Sequence, residues 1–227
     1  MDTLFNIVTL FGVALLGLVL VLVALRLLDR LLFPDLSFES ALGSNNVAVG
    51  IFLAAVVFGI FFLVSRATAA ELDRYDEHFR KWGRYEFGYS YDWRHFKGQG
   101  MTESNLDPTV CSQVGACGVM QFMPGTAVAM GLQDRFDAKE SIRRGIGYDR
   151  QLWRQWQAER PPLDRLQFAF ASYNAGLGNV LKFQRAAIVA DVENPNLWEQ
   201  VAPFAWREPR EYIERIERWR GRFARGP

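Results

Sequence analysis

The chain has 227 residues, half of them hydrophobic, and a formal net charge of +1. That balance gives no whole-chain argument for nucleic acid or any other polyanionic partner. Two cysteines and the distant His78 and His95 lack zinc-ligand spacing, and there is no Gly-rich phosphate loop or Ser/His/Asp arrangement, so neither metal nor cofactor is expected.

The apolar residues are unevenly spread. The first long run is Leu4 to Leu25, interrupted only by Asn6 and Thr9, and the second is Val47 to Val64, with no charge inside it. A helix needs roughly 20 apolar residues to cross the hydrocarbon core of a bilayer, so both runs are expected to be transmembrane helices (about 4–25 and 47–64) within a membrane anchor, 1–66. Arg26, Asp29 and Arg30 stop the first run, and Ser65 and Arg66 stop the second. The first run lacks a positive n-region and is too long for a signal-peptide core. Ala67-Thr68-Ala69 fits a cleavage site, but Arg66 sits beside it and the run before it is also long.

Two spans put both ends of the chain on one side. Arg26 and Arg30 in the hairpin loop favour a cytoplasmic loop, although Arg66, Arg74, Arg80 and Lys81 beyond the second span nearly balance them. The side on which the remainder lies must therefore follow from its chemistry. Between the spans, Pro34 and the Gly43-Ser44-Asn45-Asn46 cluster read as breaker and turn. Gly50, Ala54, Ala55 and Gly59 would let helices approach closely, which leaves room for a homo-oligomer or a membrane partner.

Residues 67–91 read as an aromatic juxtamembrane linker, with a helix to about Trp82 and a turn at Gly83. Trp82, Tyr85, Phe87, Tyr89 and Tyr91 suit three roles: an aromatic belt at the headgroups, sugar binding, or packing on the following domain. Residues 92–227 hold most of the charge and six of the seven tryptophans, enough chain to bury a core unaided. The pattern predicts helices over Trp93–Glu103, Pro124–Met130, Ala138–Trp156, Leu163–Asn174, Gly178–Ala190 and Glu208–Phe223. Asp107-Pro108 breaks the chain after the first of these, and 109–123 suits an irregular loop or short hairpin. The expected fold is mainly α, with at most a small β element, preceded by two transmembrane helices.

Three segments carry a chemical signature: Glu103-Ser104; Ser112-Gln113-Val114-Gly115-Ala116-Cys117-Gly118-Val119-Met120-Gln121; and Ala171-Ser172-Tyr173-Asn174-Ala175-Gly176. In this order and spacing they resemble the soluble-type lytic transglycosylases, whose catalytic domain is similar to goose-type lysozyme. The family pattern is Glu-Ser, then Ser-x-x-Gly-Ala-x-Gly-Leu-Met-Gln, then Ala-Tyr-Asn-Ala-Gly. Val119 stands for Leu and Ser172 for an Ala, both small changes. Asp137, Ile142, Gly145 and Tyr148 in FDAKESIRRGIGY, and Glu208 with Tyr212 in REPREYIERI, extend the resemblance over about 92–220.

The resemblance implies a lysozyme-like α+β domain that cleaves the MurNAc-GlcNAc β-1,4 bond of peptidoglycan outside the cytoplasmic (inner) membrane. It implies Glu103 as the catalytic residue, protonating the bridging oxygen and then, as a base, releasing the 6-hydroxyl of the same sugar for attack, with a 1,6-anhydro-MurNAc product. A donor of this kind must stay protonated near neutral pH, which burial among apolar groups achieves. The resemblance also places Ser112, Gly115, Met120, Gln121, Tyr173, Asn174 and Tyr212 along the substrate cleft. Asp107 is the nearby acid that a hydrolytic lysozyme would need as its water-activating base, so that reading stays open, as does an inactive glycan-binding module. Cys111 and Cys117 flank the loop, and both a disulfide and an unlinked pair are open to them. The first 66 residues resemble a family of small two-helix membrane proteins of unknown function through FPDLSFESALGSNNVAVGIFLAAV.

Overall fold

The computed structural model describes residues 51, 54–63 and 73–225. The chain divides into two compact units, Met1–Ala70 and Glu71–Pro227. In the first unit, 54–63 are helical and expose Phe58, Phe61 and Phe62. Among the described residues no helix is long and apolar enough to cross a membrane. The first expected span, 4–25, lies outside the described residues, and so do 47–50, 52, 53 and 64 of the second.

The second unit opens with α1 (Asp76–Phe87), which has Asp76 and Glu77 in its first turn and Arg84 in its last, complementing the helix dipole. Tyr75, Phe79, Gly83 and Phe87 recur every four residues as a buried stripe. Gly83 therefore does not end the helix, as its residue type suggested. It is where α1 meets the next helix: a Cβ there would lie 3.0 Å from the Phe96 ring and 3.2 Å from Cβ of Trp93. The chain turns instead at Gly88, where φ is +80°. Much of the expected linker is thus helix packed into the core.

The second helix, α2 (Arg94–Ser104), is buried without interruption from His95 to Met101. Such burial of a sequence this polar needs small residues on one side and partners on the other. A Cβ at Gly98 would meet the Ile216 carbonyl oxygen at 2.7 Å, and one at Gly100 would meet the Phe79 ring at 2.9 Å. Each glycine costs about 1 kcal/mol of helix propensity, offset by the close packing it permits. Lys97 is almost wholly buried, and its ammonium pairs with Asp76 and with Asp73 at 3.3 Å and lies 4.0 Å from the Phe223 ring centre. Asn105 and Leu106, with φ of 57° and 62°, end α2 in a left-handed turn that folds Leu106 back into the core.

After the 107–123 loop come α3 (Pro124–Ala129), α4 (Ala138–Gln155), α5 (Pro162–Ala175), α6 (Leu177–Val189), α7 (Trp198–Val201) with a 3₁₀ turn (Ala202–Phe204), and α8 (Arg207–Ala224). Asp137 caps α4 by accepting from the Lys139 and Glu140 amides at 3.0 and 3.1 Å. Helix α2 packs on α8 and α1, α4 on α1 and α5, and α5 on α6 and α8. Beyond α1, the helices of more than one turn lie within a residue or two of the predicted ranges. The short α7 was not foreseen, because one turn has no periodicity to read. Among the described residues β structure is confined to two antiparallel bridges, Cys111 with Cys117 and Cys117 with Phe122.

The contact at Gly98 sets the distance between α2 and α8. Gly98→Ala should therefore cost about 1–3 kcal/mol by overpacking and lower the thermal midpoint by several degrees, read by circular dichroism. An unchanged midpoint would show that the two helices separate freely there.

Candidate active site

Glu103 sits in the last turn of α2, with the left-handed cap directly behind it. The chain after the cap must then return past the helix end, and four features hold it there. Ser104 Oγ donates to the Val119 carbonyl at 2.8 Å, and the Tyr173 hydroxyl donates to the Met120 carbonyl at 2.7 Å. Arg135 Nη1 donates to the Gly115 and Phe122 carbonyls at 2.7 and 3.1 Å. A disulfide joins Cys111 to Cys117, whose Cα atoms are 4.2 Å apart.

Inside this loop the motif residues mostly brace one another. Ser112 Oγ accepts from the Ala116 amide at 3.0 Å, and the Gly115 amide donates to the Ser112 carbonyl at 3.0 Å. Gly115 and Gly118 both have positive φ, 86° and 80°. At Gly118 the close approach is to protein: a Cβ would lie 1.9 Å from the Arg135 carbonyl oxygen, so only glycine fits. Gln121 Nε2 donates to the Gly118 and Val110 carbonyls at 2.9 and 3.1 Å. The Met120 side chain is fully buried, and a Cβ at Gly145 would be 2.8 Å from it. Expected to line the cleft, that side chain is a core group because α4 offers the slot that Gly145 leaves open.

Helix α8 supplies the groups that act on Glu103. The Tyr212 hydroxyl, from α8, donates to Glu103 Oε1 at 2.5 Å. Asn174, at the end of α5, donates through Nδ2 to Glu208 Oε1 at 3.3 Å, while its buried Oδ1 has no partner. Burial pushes the Glu103 carboxyl up to about 7, against the Tyr212 hydrogen bond and the Arg215 charge, which both favour the carboxylate; the Glu208 charge adds to the rise. The Tyr212 and Tyr173 hydroxyls are themselves pushed well above the ordinary phenol range, by burial first and by the Glu103 charge second. A side chain that donates here thus stays a donor.

Asp107 behaves differently. It is exposed, and its Oδ1 accepts from the Thr109 hydroxyl at 2.7 Å and the Thr109 amide at 2.8 Å. Those bonds hold its carboxyl below the usual range, which is the behaviour of a turn residue. Among the described residues no group of three or more His, Cys, Asp or Glu side chains is placed to hold a metal ion.

Sequence reasoning missed four residues around the site. Arg215, one turn beyond Tyr212, supplies the cation that Glu103 feels. Arg135 bolts the loop. Asp149 and Gln99 form a buried polar contact between α4 and α2, Nε2 to Oδ1 at 3.1 Å. Asp149 extends the buried Ile142–Ile146 face of α4 at helical spacing, and an acid on that stripe was the signal available.

The pH dependence follows from Glu103. Any reaction that takes a proton from Glu103 needs its protonated form, so the kcat/KM of such a reaction should fall as pH rises through about 7. Tyr212→Phe removes a bond that favours the charged form, so this basic limb should move to higher pH, measured from pH–rate profiles. The folded-state pKa lies above the unfolded value of 4.5, so the native state holds the extra proton between them. Glu103 therefore destabilises the fold as pH rises from about 4.5 to 7, by about 3 kcal/mol in all. Glu103→Gln should be more stable than the wild type at pH 8 and equal to it near pH 4, measured by denaturant unfolding.

Known proteins resemble parts of this chain. Residues 82–193 match the family model "Transglycosylase SLT domain", and residues 1–69 match a Domain of Unknown Function (DUF350). Membrane-bound lytic murein transglycosylase F of Pseudomonas putida (strain GB-1) is 35% identical over 130 residues, 57% of this chain and 26% of that protein. The protein of the same name from Shewanella oneidensis is 33% identical over 136 residues, 60% of this chain and 27% of that protein. The chain thus spans about a quarter of the length of the curated relatives it matches. The 70 kDa soluble lytic transglycosylase of Escherichia coli aligns in structure with a TM-score of 0.50 and 20% identity, covering 83% of this chain and 29% of that one. A 70-kDa soluble lytic transglycosylase in complex with bulgecin A gives 0.51 and 23%, covering 84% and 30%. Both are likenesses of fold. Residues 82–193, which run from Trp82 of α1 through α6, thus resemble a Transglycosylase SLT domain, and residues 1–69 resemble the DUF350 segment.

Proposed function

We propose that the chain is a membrane-anchored lytic transglycosylase of peptidoglycan, cleaving the MurNAc-GlcNAc β-1,4 bond with Glu103 as acid and then base. The observation that carries this reading is the carboxyl of Glu103, lifted to about 7 by burial and hydrogen-bonded by Tyr212. An acid of that strength is about half protonated at neutral pH, and it suits both halves of a proton round trip.

In the first step the Glu103 proton passes to the bridging oxygen as the C1–O bond breaks and positive charge develops on the ring. In the second, the Glu103 carboxylate takes the proton of the 6-hydroxyl of the same sugar, and O6 bonds to C1. Glu103 ends protonated, no water is consumed, and the product carries a 1,6-anhydro end. Intramolecular attack gains from proximity, so no second carboxylate is needed to position water. Asp107, tied up by Thr109 and exposed, gives little support to a hydrolytic route. Glu208, whose charge reaches Glu103 and whose carboxylate meets Asn174, is the better candidate base for that alternative. The unpartnered Asn174 Oδ1 suits the N–H of an N-acetyl group, and Tyr173 and Gln121 would border the same cleft.

The two apolar runs, 4–25 and 47–64, would anchor the enzyme as a multi-pass protein of the bacterial inner membrane. A peptidoglycan substrate requires the SLT domain on the extracytoplasmic side. The relatives named membrane-bound support that association.

Incubating the detergent-purified chain with intact peptidoglycan should release muropeptides one water lighter than hydrolysis products, seen by mass spectrometry. Glu103→Gln should lower the rate by at least roughly 10²–10⁴-fold. Reducing ends would make the enzyme a hydrolase and direct attention to Glu208. Bound but uncleaved strands would make the domain a glycan-binding module.

A further inference from the structure

Beneath Glu103 lies a second carboxyl group that the proposed reaction does not use. Asp149 on α4 and Gln99 on α2 are both completely buried. Gln99 Nε2 donates to Asp149 Oδ1 at 3.1 Å, while the other two polar atoms of the same side chains, Asp149 Oδ2 and Gln99 Oε1, are buried without a hydrogen-bond partner. Both of these atoms are acceptors, so a single hydrogen on Asp149 Oδ2 would satisfy them together. The result is the cyclic pair that a carboxylic acid forms with a primary amide, with one N–H···O and one O–H···O bond.

No cation offers a competing solution. Asp149 has no ion pair among the described residues. The titratable groups that reach it are Glu103 on α2, Tyr148 beside it on α4, Tyr173 on α5 and Tyr212 on α8, and each is neutral or negative. An ionised Asp149 would be an unpaired charge in a dry interior, at a cost of several kcal/mol.

We propose that Asp149 is a neutral carboxylic acid locked to Gln99 in a two-point pair, and that this pair is the positioning device for Glu103. Gln99 lies one helical turn before Glu103, so the pair ties α2 to α4 directly behind the acid. Because Asp149 stays neutral, it adds no second negative charge while Glu103 gives up and recovers its proton. Burial, with the Glu103 charge as a further push, raises the Asp149 carboxyl well above the ordinary range, and the Gln99 bond opposes that only in part. The pairing stands on its own geometry, whereas its consequence for Glu103 rests on the function proposed above.

The state of the pair can be read without catalysis. In detergent-purified full chain grown with ¹³C-carboxyl aspartate, infrared spectra at pH 7 should contain an isotope-shifted carboxylic-acid C=O band that is absent from Asp149→Asn. An asparagine there carries its own N–H at the Oδ2 position and can form the same two-point pair. Asp149→Asn should therefore keep the wild-type melting temperature, kcat within about two-fold, and the basic limb of the pH profile in place. Asp149→Leu, which leaves both ends of Gln99 unpaired, should lower kcat several-fold. Absence of an aspartic-acid band in the labelled wild type would overturn the proposal. So would a basic limb that moves to lower pH in Asp149→Asn, the response expected when a negative charge is removed. A chain that shows the band but cleaves no glycan would keep the pair and refute the proposed function alone.

Discussion

The geometry of this domain depends on burying α2 on all sides. A helix reading Arg-His-Phe-Lys-Gly-Gln-Gly-Met is a poor candidate for a domain centre, since it combines two glycines with three long polar side chains. It is buried because each liability is met by a neighbour. Gly98 admits the α8 backbone, Gly100 admits Phe79 of α1, and Lys97 is paired with acids at the start of α1. The contact at Gly98 is with the carbonyl of Ile216, one turn beyond Tyr212. The same approach that packs the two helices therefore sets where the Tyr212 hydroxyl meets Glu103.

A catalytic carboxyl needs desolvation to remain an acid near neutral pH, and it must still face a substrate. Placing Glu103 in the last turn of a buried helix would meet both needs in the proposed reaction. The helix supplies the dry environment, and the left-handed cap at Asn105 and Leu106 clears the chain from the helix end. The returning 107–123 loop is then fastened to α2 and α5 by Ser104 and Tyr173 and braced by Arg135 and the disulfide. Most of the loop's motif residues are spent on that fastening. Its glycines and Gln121 shape the backbone, and Met120 fills the slot over Gly145, while Asn174, bonded to Glu208, keeps Oδ1 as an unused polar group.

The charges around Glu103 are tuned by opposition. Burial and Glu208 favour its protonated form, Tyr212 and Arg215 favour its ionised form, and the balance falls near neutrality. The surrounding tyrosines stay neutral donors, and a neutral Asp149 would keep the interior behind α2 free of competing charge. A site that must lose and regain one proton gains from neighbours whose own protonation does not change as it does so.

Much of this was legible in the sequence. The long helices follow from apolar spacing at a period near 3.6, and the Glu-Ser, Gly-Ala-x-Gly and Tyr-Asn-Ala-Gly segments resembled a family whose domain model matches the chain. Local rules went wrong where a residue's value depended on what lay opposite it. Gly83 read as a turn because no linear pattern shows that the Phe96 ring approaches there. Met120 read as a ligand-facing residue because its core slot is made by Gly145, 25 positions away. Asp149 and Gln99 went unnoticed because each is ordinary in its own helix, and only their apposition across 50 residues leaves two acceptors sharing one missing hydrogen. The amino-acid order alone carried most of the long helices and the residue types able to perform acid–base chemistry, since both depend on near neighbours in the chain. Which carboxyl is dry, which is solvated and which is paired was decided only by the tertiary structure, because desolvation and hydrogen bonding are set by groups far apart in sequence.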